Sequence, residues 1–416
     1  MTSDRIPFHL FEVFGVELEY MIVDRDTLDI RPLADKVLHE VAGAYESEVA
    51  VGELAWSNEL VLHVIELKTN GPARSLGGLA SVFHQHITRI NSILEPLNAC
   101  LLPTAMHPWM DPFKEMKLWP HGYSIIYESY NRIFDCRGHG WANLQSTHIN
   151  LPFVDDQEFG RLHAAIRLLM PLLPALAASS PAMEGRLTGT MDNRLVTYRK
   201  NSAKIPSITG SVIPEQVFTS ADYDREIFQR IYADIRPHDP EGILQYEWLN
   251  SRGAIARYMR NTIEIRVLDI QEAPAADLAI TWAIVEALKL IVAERWIGAA
   301  EQMAWGEKPL YEILSNVVRD AESAEIDDVD YLSIFGYPGG KCTAGELWVH
   351  LITAIPNGDG QEEFRKPLAI LLQQGSLARR IYRALGNDFS MDKLRRVYEA
   401  LRGCLERNQL FSGNGV

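Results

Sequence analysis

Glu17 and Glu19 stand two positions apart in "EVFGVELEYMIVD", residues 12–24, a run otherwise rich in valine, isoleucine, leucine and aromatic residues. That composition belongs to a strand. On a strand, positions i and i+2 share a face, so the two carboxylates are predicted side by side. Three further strand-like runs carry polar residues where a core would want apolar ones. One holds Glu66 and Lys68, with Glu59 earlier in it; another holds His148 and Asn150; the last holds Glu264 and Arg266. One polar-faced strand is ordinarily an edge strand facing water. Four in one chain predict a shared face open to a cleft, with several carboxylates and a histidine around a common space.

Burying bare carboxylates is costly, so such a face demands cations. Magnesium is the natural partner, because it takes hard oxygen ligands at about 2.0–2.1 Å and is held by a few carboxylates plus substrate phosphates. On this reading Glu17 and Glu19 are metal ligands for a nucleotide. Glu59 fits less easily. It lies seven positions before Glu66, which on one continuous strand is the opposite face, so it requires a bulge or a place in the strand's lead-in.

The elements that must position these groups alternate in the first third of the chain. "VFGVELEYMIVD" reads as a strand, "PLADKVLHEVAG" as a helix, "NELVLHVIELKTNGP" as a second strand, and "GLASVFHQHITRINSILEPL" as a long amphipathic helix. "GWANLQSTHINLPF" reads as a strand closed by Pro152, and the acidic start of "DDQEFGRLHAAIRLLMPLLPAL" suits a helix N-terminus. Residues 181–220 form a long irregular stretch, and "NTIEIRVLDIQEAP" is again a strand followed by a helix. From about residue 291 the pattern is mainly helical. Neither G-x-x-x-x-G-K-[ST] nor G-x-G-x-x-G is present, so P-loop and Rossmann nucleotide binding are not expected. Phosphate charge would then be met by metals and by Arg186, Arg194, Arg199 and Lys200, which beside Tyr198 and several glycines read as an anion-binding lid.

The 416 residues are 47% hydrophobic and 23% charged, ordinary globular values, and the formal net charge of −15 repels nucleic acid and anionic membranes. Cys100, Cys136, Cys342 and Cys404 form no C-x-x-C pair, which points to a reduced, cytoplasmic setting without zinc or disulfides. The start, "MTSDRIPFHLFEVF", lacks the pattern of a signal peptide. The most apolar helical runs are interrupted by charges or prolines and read as buried helices, not membrane spans.

"GVELEY", "NELVLHVIELKTN", "STHINLPF", "LPALAASSPAMEGRLTGTMDNRLVTYR" and "NTIEIRVLDI", in this order over residues 12–290, resemble the glutamate–cysteine ligase family, in its bacterial type-2 group of carboxylate–amine ligases; "GSLARRIYRAL" adds a weaker echo. The resemblance implies an α+β fold like the catalytic domain of glutamine synthetase: a curved antiparallel sheet of about six strands, with helices packed on its outer face. Residues 8–290 would form this catalytic sheet domain, and 291–416 a helical segment packed on it. The inner face would bind ATP and two or three Mg2+ ions. Glu17, Glu19 and Glu66 would be metal ligands, with Glu264 a further candidate. Arg266 would meet phosphate, His148 would sit by metal or nucleotide, and Arg194 and Tyr198 would belong to the substrate loop.

The implied reaction is ATP-dependent amide formation through an acyl phosphate, with an amino-acid carboxylate and a small amine as substrates and a homodimer as one possible assembly. Such chemistry runs on positioning and charge neutralisation. The chain departs from the family pattern at two places on this face: His148-Ile149-Asn150 stands where many members have H-V-H, and Lys68 where many have an asparagine or similar residue. Both bear on amino-acid specificity. A guanidino kinase and a non-catalytic nucleotide or amino-acid sensor are the competing readings.

Overall fold

The computed structural model describes residues 8–413; the first half of the N-terminal run read for a signal peptide, and the last three residues of the helical segment, lie outside them. The principal sheet is built from β1 (Gly15–Asp24), β2 (Glu48–Val51), β3 (Leu54–Asn58), β4 (Val64–Thr69), β5 (Ala99–Leu102) and β6 (Ser146–Pro152). A separate two-residue-stranded hairpin, β7 (Ala182–Met183) and β8 (Arg186–Leu187), precedes the last two strands of the sheet, β9 (Ala254–Arg257) and β10 (Thr262–Asp269). The order is β2-β3-β4-β1-β6-β10-β9, with β5 pairing the C-terminal half of β1, and every pairing is antiparallel.

The sheet thus has eight strands, more than the six or so expected, because β2, β3, β5 and β9 are only four or five residues long. Runs that short carry almost no periodicity. A second difference concerns "NELVLHVIELKTN". It is not one strand: Asn58 ends β3, Glu59 to His63 turn the chain, and Val64 begins β4.

Alternation assigns the two faces. Val16, Leu18 and Tyr20 of β1, Ile65 and Leu67 of β4, Ile149 and Leu151 of β6, and Ile263 and Ile265 of β10 are all buried in one hydrophobic core. Against them pack Phe83, Ile87 and Ile90 of the helix Leu79–Leu94, Phe159 and Leu162 of Asp156–Leu169, and Leu278 and Trp282 of Pro274–Val292. Each such side chain contributes about 1.5–3 kcal/mol by leaving water. Pro274–Val292 is apolar on nearly all sides because it is buried on nearly all sides, and its Glu286 and Lys289 pair with each other at 2.7 Å. The run Asp156–Ala177 is long and apolar enough to cross a membrane, yet 94% of its most apolar 18-residue stretch is buried inside this fold.

The opposite face carries Glu17, Glu19, Glu66, Lys68, Ser146, His148, Asn150 and Glu264. Its far end, formed by Met21 and Val23 of β1, Val64 of β4 and Leu102 of β5, is covered by Leu377 and Ile381 of the helix Leu377–Leu385 and by Val397 and Leu401 of Met391–Arg407. The hydroxyls of Ser376 and Ser390 accept from Arg379 N and Lys393 N and cap these two helices. A one-residue bulge in β10 shifts the register between Ile265 and Leu268. Its effect is to bring Asp269, five positions after Glu264, onto the same polar face.

Candidate active site

The register lays the polar side chains out as a grid. Glu19 is paired across strands with Glu66, Glu17 with both Lys68 and His148, Glu66 with Ser57, and Asn150 with both Gly15 and Glu264. Glu19 Oε2 accepts from Ser146 N at 2.7 Å and from Ser146 Oγ at 2.9 Å. His148 has Nε2 2.9 Å from the same Ser146 Oγ and Nδ1 3.2 Å from Glu17 Oε2. Asn150 Nδ2 donates to Glu17 Oε1 at 2.9 Å. That reach depends on Gly15: a Cβ there would come within 2.9 Å of Asn150 Cβ.

Two sets of ligand atoms converge. Oxygens of Glu17 and Glu66 with a ring nitrogen of His148, and oxygens of Glu19, Glu59 and Glu66, each lie within 4.8 Å of one another. The turn that leads from β3 into β4 is what brings Glu59 into the second set, so it belongs to the strand's lead-in and no bulge is needed. Burial first, and then the neighbouring carboxylates, hold Glu19, Glu59 and Glu66 above the ordinary carboxylate range. Burial lowers His148 and so favours the neutral ring, the form that can give a lone pair to a metal ion. Hard oxygens with one imidazole, in excess over local positive charge, are a donor set that fits divalent cations such as Mg2+.

Glu264 falls outside both sets. Its Oε2 accepts from Arg257 Nη1 at 2.7 Å, and Arg266 Nε lies 3.8 Å from its Oε1. Burial pushes this carboxyl up, but Arg257 and then Arg266 outweigh it and bring it to about 2. Arg266 Nε, Arg257 Nε and Asn150 Oδ1 are buried without hydrogen-bond partners. Arg194 joins this side of the face: Nη2 donates to Arg266 O at 3.0 Å, Nη1 lies 3.7 Å from Asp269 Oδ1, and Nε and Nη1 have no hydrogen-bond partner. Asp269 in turn accepts from Ser179 N and Ser180 Oγ, and burial lifts it to about 6 against the pull of Arg194.

The four cations of the 186–200 stretch do not assemble into one lid. Arg186 lies on the β7–β8 hairpin with its side chain 74% exposed and Glu184 as its partner. Arg199 donates to Tyr311 OH and Ser315 Oγ, and Lys200 is exposed. The cause is a helical turn, Asn193–Tyr198, capped by Asp192. It puts Arg194 and Tyr198 on one face, with the guanidinium 5.9 Å from the ring centroid, and turns Arg199 away. The Tyr198 hydroxyl is taken up by Ser251 O at 2.9 Å.

Several groups were not anticipated. Ser146 shares the i, i+2, i+4 pattern of His148 and Asn150 and was readable from it. Ser57 and Arg257 sit on strands too short to announce themselves. Tyr127, on the helix Ser124–Phe134, accepts from Asn58 Nδ2 at 2.9 Å, and burial and then Glu59 raise its hydroxyl above the usual tyrosine range.

The fold is an α+β, glutamine-synthetase-like one, shared with solved structures. Among solved structures, glutamate–cysteine ligase from Francisella tularensis in complex with AMP aligns over 95% of this chain and 90% of its own, at TM-score 0.54 and 16% identity. A bifunctional glutathione synthetase from Pasteurella multocida aligns over 95% of this chain and 53% of its own, at TM-score 0.57 and 14% identity. In sequence, an uncharacterized protein of Archaeoglobus fulgidus is 31% identical over 96% of this chain and its own full length. A Nocardioides sp. protein provisionally named glutamate–cysteine ligase 2-1 is 25% identical over 71% of this chain and 72% of its own. The model of glutamate–cysteine ligase family 2 matches residues 13–400. The chain belongs to that family, and its class is the carboxylate–amine ligases of the glutamate–cysteine ligase type.

Proposed function

We propose that the protein is an ATP- and Mg2+-dependent ligase that activates the side-chain carboxylate of glutamate and joins it to a small amine, with cysteine the family's usual acceptor. The observation that carries this reading is the pair of ligand triads sharing Glu66, set beside buried guanidinium nitrogens that have no hydrogen-bond partner. Glu17, Glu66 and His148 would hold one divalent ion, and Glu19, Glu59 and Glu66 another. When bound, such ions neutralise and orient the phosphates of the nucleotide.

The chain's own residues supply the rest. Arg266, held beside Glu264, presents a fixed positive charge to phosphate oxygens. Arg194 keeps two donors free for a carboxylate or phosphate. Ser146 and Asn150 fix the rotamers of Glu19 and Glu17, so the ligand atoms are ordered before substrate arrives. The substrate carboxylate then attacks the γ-phosphoryl group, ADP leaves, and the amine displaces phosphate from the acyl phosphate. No protein nucleophile is required.

The reading implies small-molecule substrates and a cytoplasmic setting, which suits four free, buried cysteines. The test is phosphate release with ATP, Mg2+ and glutamate against a panel of amino acids and polyamines, followed by mass spectrometry of the products. An amide supports the ligase, and a phosphoguanidine would make the protein a kinase. ATP binding without turnover on any pair would make it a sensor.

A further inference from the structure

Lys68 sits inside the acid face, across from Glu17 in the register. Its ammonium bridges two carboxylates, Glu66 Oε2 at 3.1 Å and Glu48 Oε2 at 2.7 Å. The same oxygen of Glu66 also accepts from Ser57 Oγ at 2.5 Å. One oxygen of the carboxylate common to both triads therefore already carries two donors. Glu48 is different in kind: it lies on β2, the edge strand, and its side chain is 57% exposed.

We propose that Lys68 competes with divalent cations for Glu66 and so sets the affinity of the weaker of the two metal positions; this rests on the metal-dependent reading above. A fixed ammonium beside a shared ligand both repels an incoming dication and occupies part of that ligand. Glu48 moderates the competition by drawing the ammonium toward the rim. A phosphate or carboxylate group of a substrate would do the same more strongly, since lysine has three donors and two are engaged here. Metal and anionic substrate then favour each other's binding through one side chain.

The two partners of Lys68 give the inference opposite signs to test. Mn2+ is titrated into the nucleotide-free protein and free ion is read by electron paramagnetic resonance, for the parent, Lys68→Met and Glu48→Gln. The weaker Mn2+ site should tighten about tenfold or more in Lys68→Met, where a positive charge is lost. It should loosen about two- to threefold in Glu48→Gln, where the ammonium is left to Glu66 alone. Glu48→Gln is a rim substitution that leaves the core untouched, so it reads out even if Lys68→Met folds poorly. Unchanged affinity in Glu48→Gln, or shifts of the same sign in both variants, overturns the proposal while leaving the ligase reading in place. A parent that binds no Mn2+ overturns the metal-dependent reading and this inference with it.

Discussion

Two buried groups of charge in this molecule are composed on opposite principles. Glu272, just after β10, and Arg380, in the helix Leu377–Leu385, form an ion pair with both side chains fully inaccessible. One acid meets one base, and the pair is extended by Arg380 Nη1 to Phe411 O at 2.7 Å, Arg380 Nε to Gly375 O at 3.2 Å and Phe411 N to Glu272 Oε1 at 3.1 Å. The polar face of the sheet instead gathers Glu17, Glu19, Glu59 and Glu66 around one lysine and a histidine, with Arg194 and Arg266 to one side. A matched pair balances its own charge and pins the chain near Phe411 to the sheet, although Glu272 Oε2 and Arg380 Nη2 keep no hydrogen-bond partner. A surplus of one sign is complete only with something added. The difference separates structure from function more sharply than burial does, because both groups are buried.

Removing a carboxylate from the surplus should have the largest effect. Glu19→Gln keeps the shape and the bond from Ser146 but deletes a charge and a ligand oxygen. Turnover should fall at least about 100-fold, with the stabilisation by Mg-ATP lost and the apo protein as stable as the parent or slightly more so. Thermal unfolding with and without Mg-ATP, beside a turnover assay, decides it. A variant that keeps both the parent's turnover and its ligand response removes Glu19 from any metal role.

The matched pair should respond in the reverse sense. Arg380→Met strands a buried carboxylate and should cost about 3–5 kcal/mol in urea unfolding. Replacing both partners, as in Arg380→Met with Glu272→Leu, should recover much of that loss. Turnover per folded molecule and the Mg-ATP response should stay at parent values throughout. Parent-like stability in the single variant would show that the pair carries no structural weight.

Which parts of these arrangements were legible follows from the local signal. Glu17 with Glu19, and His148 with Asn150, could be read because period two survives along β1 and β6. The break between β3 and β4 is hard to see because the turn holds Leu60, Val61 and Leu62, residues that look like strand and are apolar because Val61 and Leu62 are buried. Asp269 was hidden by the bulge, which changes the parity of β10 without any glycine or proline to mark it. Arg199 was grouped with Arg194 because a loop was expected where the chain makes one helical turn. The Glu272–Arg380 pair joins residues 108 positions apart, and no local pattern encodes such a partner.

The smallest expected effect sharpens the same contrast by varying pH. Glu19, Glu59 and Glu66 are held above their ordinary value of 4.5, so the folded protein keeps protons that the unfolded chain has released. With more protons bound in the folded state, stability falls as pH rises above about 4.5 and levels off once the raised values are passed. Divalent ions do at neutral pH what protons do at low pH, and they bind better as the protons leave. Unfolding measured from about pH 5 to about pH 8 should therefore show a downward slope in EDTA and a flatter one in excess Mg2+. In Glu19→Gln the EDTA slope should shrink but not vanish, because one proton-holding carboxyl is gone while others, Asp269 and Asp277 among them, remain. Parallel curves in EDTA and Mg2+ would mean that the surplus carboxylates are not where the ion binds, and the distinction between the two buried groups would then rest on stoichiometry alone.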